Sequence, residues 1–261
     1  MHANRVKAKM AQGQLAVGTY VTLKDPAVVE AIGLAGFDAA FIDMEHTTFD
    51  LGLIEAMILA CELTGITSLV RVPDDNPKTM LRILDAGAQG IQVPHIGGLD
   101  AARAVVKAVR YAPMGERGMA NATRAARYGT VPLAEHLATS NAEVLLSLMV
   151  EDRHALEQLE AIAALPGVDL IAIGPYDLSA ALGIRDPRDP VLKTTIEEIA
   201  ARLKTVGKAK MAFPLGIPAY PLTAAELQVL GVAYSNCSPG DVGRLVQSFS
   251  QQIRQIRAEL K

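Results

Sequence analysis

Eight short apolar runs, each followed by a stretch of helical period, constrain the fold of this chain more than any other feature. Several runs are apolar on consecutive residues rather than on alternate ones, which is typical of parallel strands covered on both faces. We predict strands at 15–21, 39–44, 67–72, 90–95, 144–150, 169–174, 208–213 and 232–237. We predict helices at 26–35, 50–64, 77–86, 99–109, 152–164, 190–206, 222–230 and 240–258.

This alternation continues almost to the end of the chain, without a low-complexity linker or a clear internal repeat. It predicts a (β/α)8 TIM barrel, with residues 1–261 forming a single α/β domain. An open, doubly wound sheet is the alternative that the same pattern allows.

Charge and composition argue against several classes of partner. A net charge of −3, an aromatic content of 4% and the absence of Trp are unlike those of a nucleic-acid-binding protein. No apolar run approaches the roughly 18–20 residues that cross a bilayer, and the N-terminus lacks the apolar core of a secretory signal. Cys61 and Cys237 match neither a metal motif nor a disulfide framework, so we expect reduced thiols in a cytoplasmic protein.

Polar residues cluster where the predicted strands end. The second strand ends in Asp43, Glu45 and His46, and the third ends in Arg71. The fifth ends in Glu151, and the sixth ends in Asp177. A barrel would bring these residues to the carboxyl ends of its strands, where barrel enzymes have their active sites. The coincidence predicts an enzyme.

Glu151 and Asp177 follow neighbouring strands, where two carboxylates would repel in a partly dry cavity. A hard divalent cation would relieve that repulsion and keep positions open for substrate oxygens. Mg²⁺, Mn²⁺ or Co²⁺ suits such a site better than tetrahedral Zn²⁺. Helix N-capping or simple solvation of the two acids is the alternative.

Arg71, Asp85 and His46 form a second set of candidates. Arg71 has two interpretations. Its guanidinium could bind a carboxylate or a developing oxyanion, or it could be a surface side chain whose stem covers apolar area. Asp85 lies at a helix C-terminus, which disfavours an anion, so a nearby cation or a histidine N–H is expected to offset the cost. His46 is the candidate partner, as a base oriented by Asp85.

The connection 111–142 is longer than usual and carries several arginines, including Arg117, Arg124 and Arg127. Two interpretations stand side by side: a lid or rim near the site, or a surface excursion that serves as an oligomer contact.

Five motifs together resemble those of the HpcH/HpaI aldolase family of class II pyruvate aldolases, and the resemblance covers nearly the whole chain. They are "AGFDAAFIDMEH" (35–46), "LVRVP" (69–73), "LDAGAQGIQVPH" (84–95), "RYAPMGERG" (110–118) and "IGPYDLSAALG" (173–183). The resemblance implies a TIM-like barrel in a homo-oligomer, a hexamer or a trimer, whose C-terminal helix is often exchanged between subunits.

The resemblance also implies roles for individual residues. Glu151 and Asp177 would hold a divalent metal (Mg²⁺, Mn²⁺ or Co²⁺), His46 with Asp85 would be the catalytic pair, and Arg71 would stabilise an enolate. The turn Gly174, Pro175, Tyr176 and Asp177 would bind the pyruvyl carboxylate. The partners implied are a small 2-oxo acid and an aldehyde, joined or released by metal-dependent aldol chemistry on 4-hydroxy-2-oxo acids.

Two positions and one longer stretch depart from the family pattern. Met149 stands where family members commonly carry a Gln that touches the substrate, and Tyr176 stands where a small residue is common. The stretch "YSNCSPGDVG" (234–243) departs from the usual short turn. Met149 leaves room for a citrate-synthase-like condensing enzyme as an alternative.

A phosphate-binding barrel isomerase is a further alternative, with 235–243 as a phosphate nest before the last helix. Asp241, at the start of that helix, argues against it, because a carboxylate would repel a phosphate. A non-catalytic metabolite sensor is disfavoured by the retained His46, Arg71, Glu151 and Asp177.

Overall fold

The eight predicted strands pair in sequence order into a closed parallel barrel. The computed structural model describes residues 3–186, 188–218 and 220–260. The strands are β1 Ala16–Val21, β2 Ala39–Asp43, β3 Thr67–Arg71, β4 Gly90–Val93, β5 Leu145–Met149, β6 Leu170–Ala172, β7 Lys210–Ala212 and β8 Val232–Cys237. β8 pairs with β1, so the sheet closes on itself. The prediction of a single-domain TIM barrel is confirmed, and the open doubly wound sheet is wrong.

The helices surround the barrel and connect its strands. They are α1 Arg5–Ala11, α2 Pro26–Leu34, α3 Leu51–Thr64, α4 Pro77–Asp85, α5 Leu99–Val109, α6 Leu133–Glu143, α7 Arg153–Glu157, α8 Leu159–Ala163, α9 Pro175–Leu182, α10 Pro190–Val206, α11 Ala224–Leu230 and α12 Asp241–Glu259. The predicted helices are found, although the segment predicted at 152–164 is divided into α7 and α8 at Gln158. The sequence reading missed α1, α6 and α9.

Local chemistry explains where the helices begin and end. The Asp50 side chain accepts a hydrogen bond from Leu53 N and caps α3, whose other end is closed by Gly65 at φ 70°. Pro77 begins α4, where its missing N–H costs little. Within the described ranges, no helix is both long and apolar enough to cross a membrane.

Two layers of apolar side chains fill the molecule. One lies between the barrel and its helices, and the smaller one fills the barrel interior, as alternate residues of each strand point inward. The interior layer contains Phe41, Leu69, Leu145, Met149 and Tyr234.

Helix α1 packs across the amino ends of the strands, with Val6 in the interior layer. Its cations contact acids that lie just before two strands. Arg5 and Lys9 contact Asp38, before β2, and Lys7 contacts Asp169, before β6. This end of the barrel is therefore closed, and the carboxyl ends of the strands remain open for a site.

Candidate active site

A cavity of about 280 Å³ opens at the carboxyl ends of the strands. Side chains from β1 to β8 and from the loops that follow them meet there. Its lining includes Tyr20, Phe41, His46, Arg71, Gln92, Met149, Ile173, Gly174, Pro175, Tyr176, Asp177, Phe213, Pro214, Ile217, Asn236 and Ser238. Most of the predicted site residues therefore line one cavity.

Arg71 projects from the end of β3 and is held by two carboxylates from the end of β2. Its Nε and Nη2 donate to the two oxygens of Asp43 at 2.9 and 2.7 Å, and its Nη1 lies 2.9 Å from Glu45 Oε2. Burial alone would lower the pKa of Arg71, but the hydrogen bonds and charges of Asp43 and Glu45 leave that pKa raised. The guanidinium is a fixed cation at the cavity wall, not a mobile surface side chain.

Glu151 follows β5 and is 97% buried, since only 3% of its side chain is exposed. Its Oε1 accepts from the backbone N–H of His95, whereas its Oε2 has no hydrogen-bond partner within the described chain. Burial raises the pKa of Glu151, and the nearby charges of Asp177 and Glu45 raise it further, against the lowering effect of His95.

Asp177 reaches the same place from the first turn of α9. A Cβ on Gly174 would lie 2.7 Å from Glu151 Oε2 and 3.3 Å from Asp177 Oδ2. The two oxygens therefore face one gap, which exists because residue 174 has no side chain. No ion pair of Asp177 occurs among the residues that the structure describes.

The donor set in this gap fits a hard divalent cation. Two carboxylate oxygens face it, and one of them is buried without a hydrogen-bond partner. Carboxylate oxygens are the ligands that Mg²⁺ and similar ions prefer. No group of three or more His, Cys, Asp or Glu side chains suited to a metal occurs in the described part of the chain. A cation held here would take most of its ligands from water or substrate.

His95 is a site residue that sequence reasoning did not assign to a role. It follows β4 at φ 50°, a left-handed conformation that is rare for residues other than glycine. Its Nδ1 lies 3.0 Å from Glu151 Oε1, and its Nε2 lies 3.1 Å from Glu45 Oε1. A strained histidine therefore links the two carboxylates, and strain of this kind concentrates at functional sites.

His46 lies at the rim of the cavity, with 67% of its side chain exposed. Its nearest charged partner is Glu45, whose Oε2 is 3.8 Å from His46 Nε2. Glu45 thus contacts Arg71 and His95 and lies beside His46, so it connects three candidate residues.

The structure does not bring Asp85 to His46 within the chain. Asp85 ends α4, and because barrel helices run antiparallel to the strands, this places it at the amino end of the barrel. There its Oδ1 accepts from Arg117 Nη2 at 2.7 Å. The expected cation beside this helix C-terminus is present, but it is Arg117 rather than His46.

The long connection also lies at the amino end, which corrects its interpretation as a lid. It follows α5 and leads to β5 through a 3₁₀ turn, Arg127–Gly129, and α6. Arg110, Arg117 and Arg124 form ion pairs with Asp169, Asp85 and Glu62. These arginines fasten the amino ends of strands and the ends of helices, away from the cavity.

The floor of the cavity contains Met149, as the sequence indicated, and Gln92 from the neighbouring strand β4. Gln92 Oε1 accepts from Ser147 Oγ at 3.0 Å. Its amide nitrogen has no partner among the described residues, so a neutral donor is present near the position where Met149 lacks one.

The proposed phosphate nest is already occupied by a carboxylate. Asp241, at the N-terminus of α12, accepts from the backbone of Thr22 and Leu23 at 2.8 and 2.9 Å, and from Val242 N at 2.7 Å. This carboxylate lies at the start of α12 and uses one of its N–H groups, and its charge would repel a phosphate there. This arrangement disfavours the isomerase alternative.

Comparisons with known proteins identify relatives of this chain in sequence and in structure. The family described as HpcH/HpaI aldolase/citrate lyase matches residues 16–213. A 2-dehydro-3,6-dideoxy-6-sulfogluconate aldolase of Pseudomonas putida is 38% identical over 77% of this chain and 76% of its own. A HpcH/HpaI aldolase/citrate lyase family protein of Burkholderia cenocepacia superposes with a TM-score of 0.88 at 31% identity, covering 98% and 100% of the two chains. The crystal structure of a citrate synthase, SbnG, superposes with a TM-score of 0.85 at 26% identity, covering 97% of each chain.

Proposed function

We propose that this chain, which belongs to the HpcH/HpaI aldolase/citrate lyase family, cleaves 4-hydroxy-2-oxo acids to pyruvate or a related 2-oxo acid and an aldehyde, and joins them in reverse. The chain is an enzyme of the carbon–carbon lyase class, to which its curated aldolase relatives belong. The observation that carries the proposal is the gap beside Gly174, where the orphaned Glu151 Oε2 and Asp177 Oδ2 face each other in a cavity that also holds Arg71.

Glu151 and Asp177 would hold a divalent cation, Mg²⁺, Mn²⁺ or Co²⁺. Such a cation, when bound, supplies Lewis-acid polarisation of a 2-oxo group and a counter-charge for the substrate carboxylate. The backbone of the turn formed by Gly174, Pro175 and Tyr176 lies at the start of α9, where helix N–H groups favour an anion. This turn is our candidate for binding the carboxylate of the 2-oxo acid.

Arg71 would stabilise the charge that develops during cleavage. When the C3–C4 bond breaks, its electron pair passes to the 2-oxo acid fragment as an enolate, and C4 becomes the aldehyde carbon. Asp43 and Glu45 fix the guanidinium before the reaction, so its orientation costs nothing at that moment. The free amide nitrogen of Gln92 is a second, neutral donor in the same cavity.

His46 would accept the proton of the C4 hydroxyl, directly or through a water, as that oxygen becomes the aldehyde carbonyl. The proton returns to C3 of the enolate to complete the 2-oxo acid. Glu45 is the carboxylate that lies beside His46 within the chain. The role of Asp85 in orienting His46 stays a prediction, because within one chain it is bound to Arg117.

A homo-oligomer is the assembly that we propose for this enzyme, a hexamer or a trimer with α12 exchanged between subunits. The support is the exposed apolar surface of α12, which a neighbouring copy would cover. It consists of Val242, Leu245, Val246, Phe249, Ile253 and Ile256.

We also propose that the enzyme acts in the cytoplasm, because Cys61 and Cys237 are both unpaired.

The proposal is tested by measuring release of the 2-oxo acid from 4-hydroxy-2-oxo acids of differing length. EDTA treatment should abolish release, and added Mg²⁺, Mn²⁺ or Co²⁺ should restore it. Full turnover in EDTA would remove the metal from the reaction. If no substrate of the series is cleaved under any condition, the aldolase proposal itself fails.

A condensing reaction is the second candidate, supported by the structural likeness to the citrate synthase SbnG. It would use the same enolate but a different electrophile. Product analysis with oxaloacetate and acyl donors separates the two reactions. A citrate-type product without aldol cleavage would favour this candidate.

A further inference from the structure

One wall of the cavity is apolar, and the chemistry described above does not use its side chains. The end of β7 and the segment after it supply Ala212, Phe213, Pro214 and Ile217 to this wall. Tyr176 adds an aromatic ring from the first turn of α9. We call these five residues the apolar wall, and none of them carries an ionised group.

Few of the described residues that line the cavity can carry a positive charge. Among the described residues that line the cavity, Arg71 is the only Lys or Arg and His46 is the only histidine. Arg71 is committed to Asp43 and Glu45.

Several exposed cations lie outside the cavity lining. Arg153, at the start of α7, donates to the backbone carbonyls of Ala181 and Leu182. Lys24 and Arg185 are exposed on the loops after β1 and α9, and neither lines the cavity. Arg188 is exposed and paired with Asp186 through two hydrogen bonds of 3.0 Å. A second anion bound at the apolar wall would therefore lose its water without gaining a counter-charge from the described residues of this chain that line the cavity.

We propose that the aldehyde half of the substrate is uncharged and apolar, an alkyl or aryl group seated against the apolar wall. This inference rests on the aldol reaction proposed above. It separates this chain from its Pseudomonas putida relative, whose name places a sulfonate on the substrate. An apolar group gains by leaving water at such a wall, whereas a carboxylate or sulfonate does not.

A matched pair of substrates tests the inference. 4-Hydroxy-2-oxoheptanoate and 4-hydroxy-2-oxoheptanedioate have the same chain length and differ in a terminal methyl or carboxylate. We expect kcat/KM for pyruvate release to be on the order of 10²-fold higher for the methyl-ended substrate. Equal or faster cleavage of the diacid would overturn the inference and leave the aldolase proposal intact. Cleavage of neither would instead count against the proposed function.

Placing a cation in the apolar wall should reverse the preference. Tyr176→Arg changes a side chain that is 52% exposed, so the variant is expected to fold, and Ile217→Arg changes one that is 5% exposed. We expect either to raise kcat/KM for the diacid about tenfold and to lower it for the methyl-ended substrate. Val229→Arg, on the exposed face of α11, is the matched control and should change neither value.

The folding of each variant is checked by its thermal transition. If Ile217→Arg is unfolded, Tyr176→Arg carries the test alone. A folded Tyr176→Arg enzyme with an unchanged ratio of the two kcat/KM values would show that the aldehyde does not meet the apolar wall, and would overturn the inference.

Discussion

Asp38 and Glu151 are buried to the same extent at opposite ends of the barrel, but in the described part of the chain only Asp38 has cations beside it. Each side chain is 3% exposed. Asp38 pairs with Arg5 and Lys9 at 2.9 and 2.8 Å and accepts from Val17 N. Glu151 has no Lys or Arg partner among the described residues. Asp38 Oδ1 and Glu151 Oε2 both lack a hydrogen bond within the described chain, but the Asp38 oxygen lies beside the charge of Arg5.

The difference separates carboxylates that stabilise the fold from carboxylates that are kept for chemistry. A buried acid without a counter-charge costs stability, and native proteins keep such groups mainly at functional sites. At the amino end, Asp169 is likewise bound by Lys7 and Arg110. The uncompensated acids, Glu151 and Asp177, occur at the end where the cavity opens.

Replacing an acid at the carboxyl end should affect turnover most. Glu151→Gln keeps the shape of the side chain but removes a proposed metal ligand. We expect a loss of several kcal/mol of transition-state stabilisation, on the order of 10³-fold in kcat, in a pyruvate-release assay. The thermal transition of the metal-free protein should stay the same or rise, because an uncompensated charge has gone. Turnover close to that of the wild type would show that Glu151 is not a site residue.

Replacing the matching acid at the amino end should affect stability instead. Asp38→Asn leaves Arg5 and Lys9 without their carboxylate, and both cations are only partly buried. We expect a loss of about 2 kcal/mol in the free energy of unfolding, between the values for surface and buried pairs. Urea denaturation measures this loss, and kcat should be unchanged. Asp25→Asn, at the exposed cap of α2, is the control and should alter neither value.

A smaller effect is expected at His95, which positions Glu151 without being a proposed metal ligand. His95→Gly keeps the backbone N–H that bonds Glu151 and relieves the φ of 50°, but it removes the imidazole contacts. We expect Mn²⁺ affinity to fall about tenfold, measured by calorimetry on the protein without substrate. His154→Gln, on α7, is the control. Unchanged affinity in His95→Gly would leave the imidazole without a role in orienting Glu151.

The smallest effect concerns the pH dependence of stability. Because the pKa of Glu151 is raised in the folded state, the folded protein binds more protons than the unfolded chain between the ordinary glutamate pKa and the raised one. Stability of the metal-free protein should therefore decrease as pH rises through this window. Glu151→Gln should flatten that part of the profile, measured by urea denaturation at several pH values. An unchanged slope would contradict the raised pKa.

The barrel could be predicted from the sequence because each strand and helix has its own local pattern of apolar residues. Consecutive apolar residues in runs such as 144–150 indicate buried parallel strands, and all eight strands were predicted. The residues that follow those strands could be assembled at one mouth by topology alone, which brought Arg71 and Asp177 into one cavity. Helix α9 was missed, although Pro175 and Gly183 mark its two ends.

The contacts that the sequence did not predict join distant parts of the chain. Nothing local to His95 indicates that it bridges Glu45 and Glu151, which are separated from it by 50 and 56 positions. Within one chain Asp85 does not reach His46, because a residue that ends a barrel helix lies at the amino end, and its role toward His46 stays a prediction. The same rule applied to the segment after α5 places the long connection away from the cavity.

The contacts of helix α1 affect how this chain can evolve. Because Arg5, Lys7 and Lys9 brace the entrances of β2 and β6, the closed end of the barrel is held by residues that no substrate meets. Mutations in the segments that form the apolar wall can accumulate without loosening that brace. Descendants of this chain could therefore drift from one aldehyde to another while their architecture stays under separate selection.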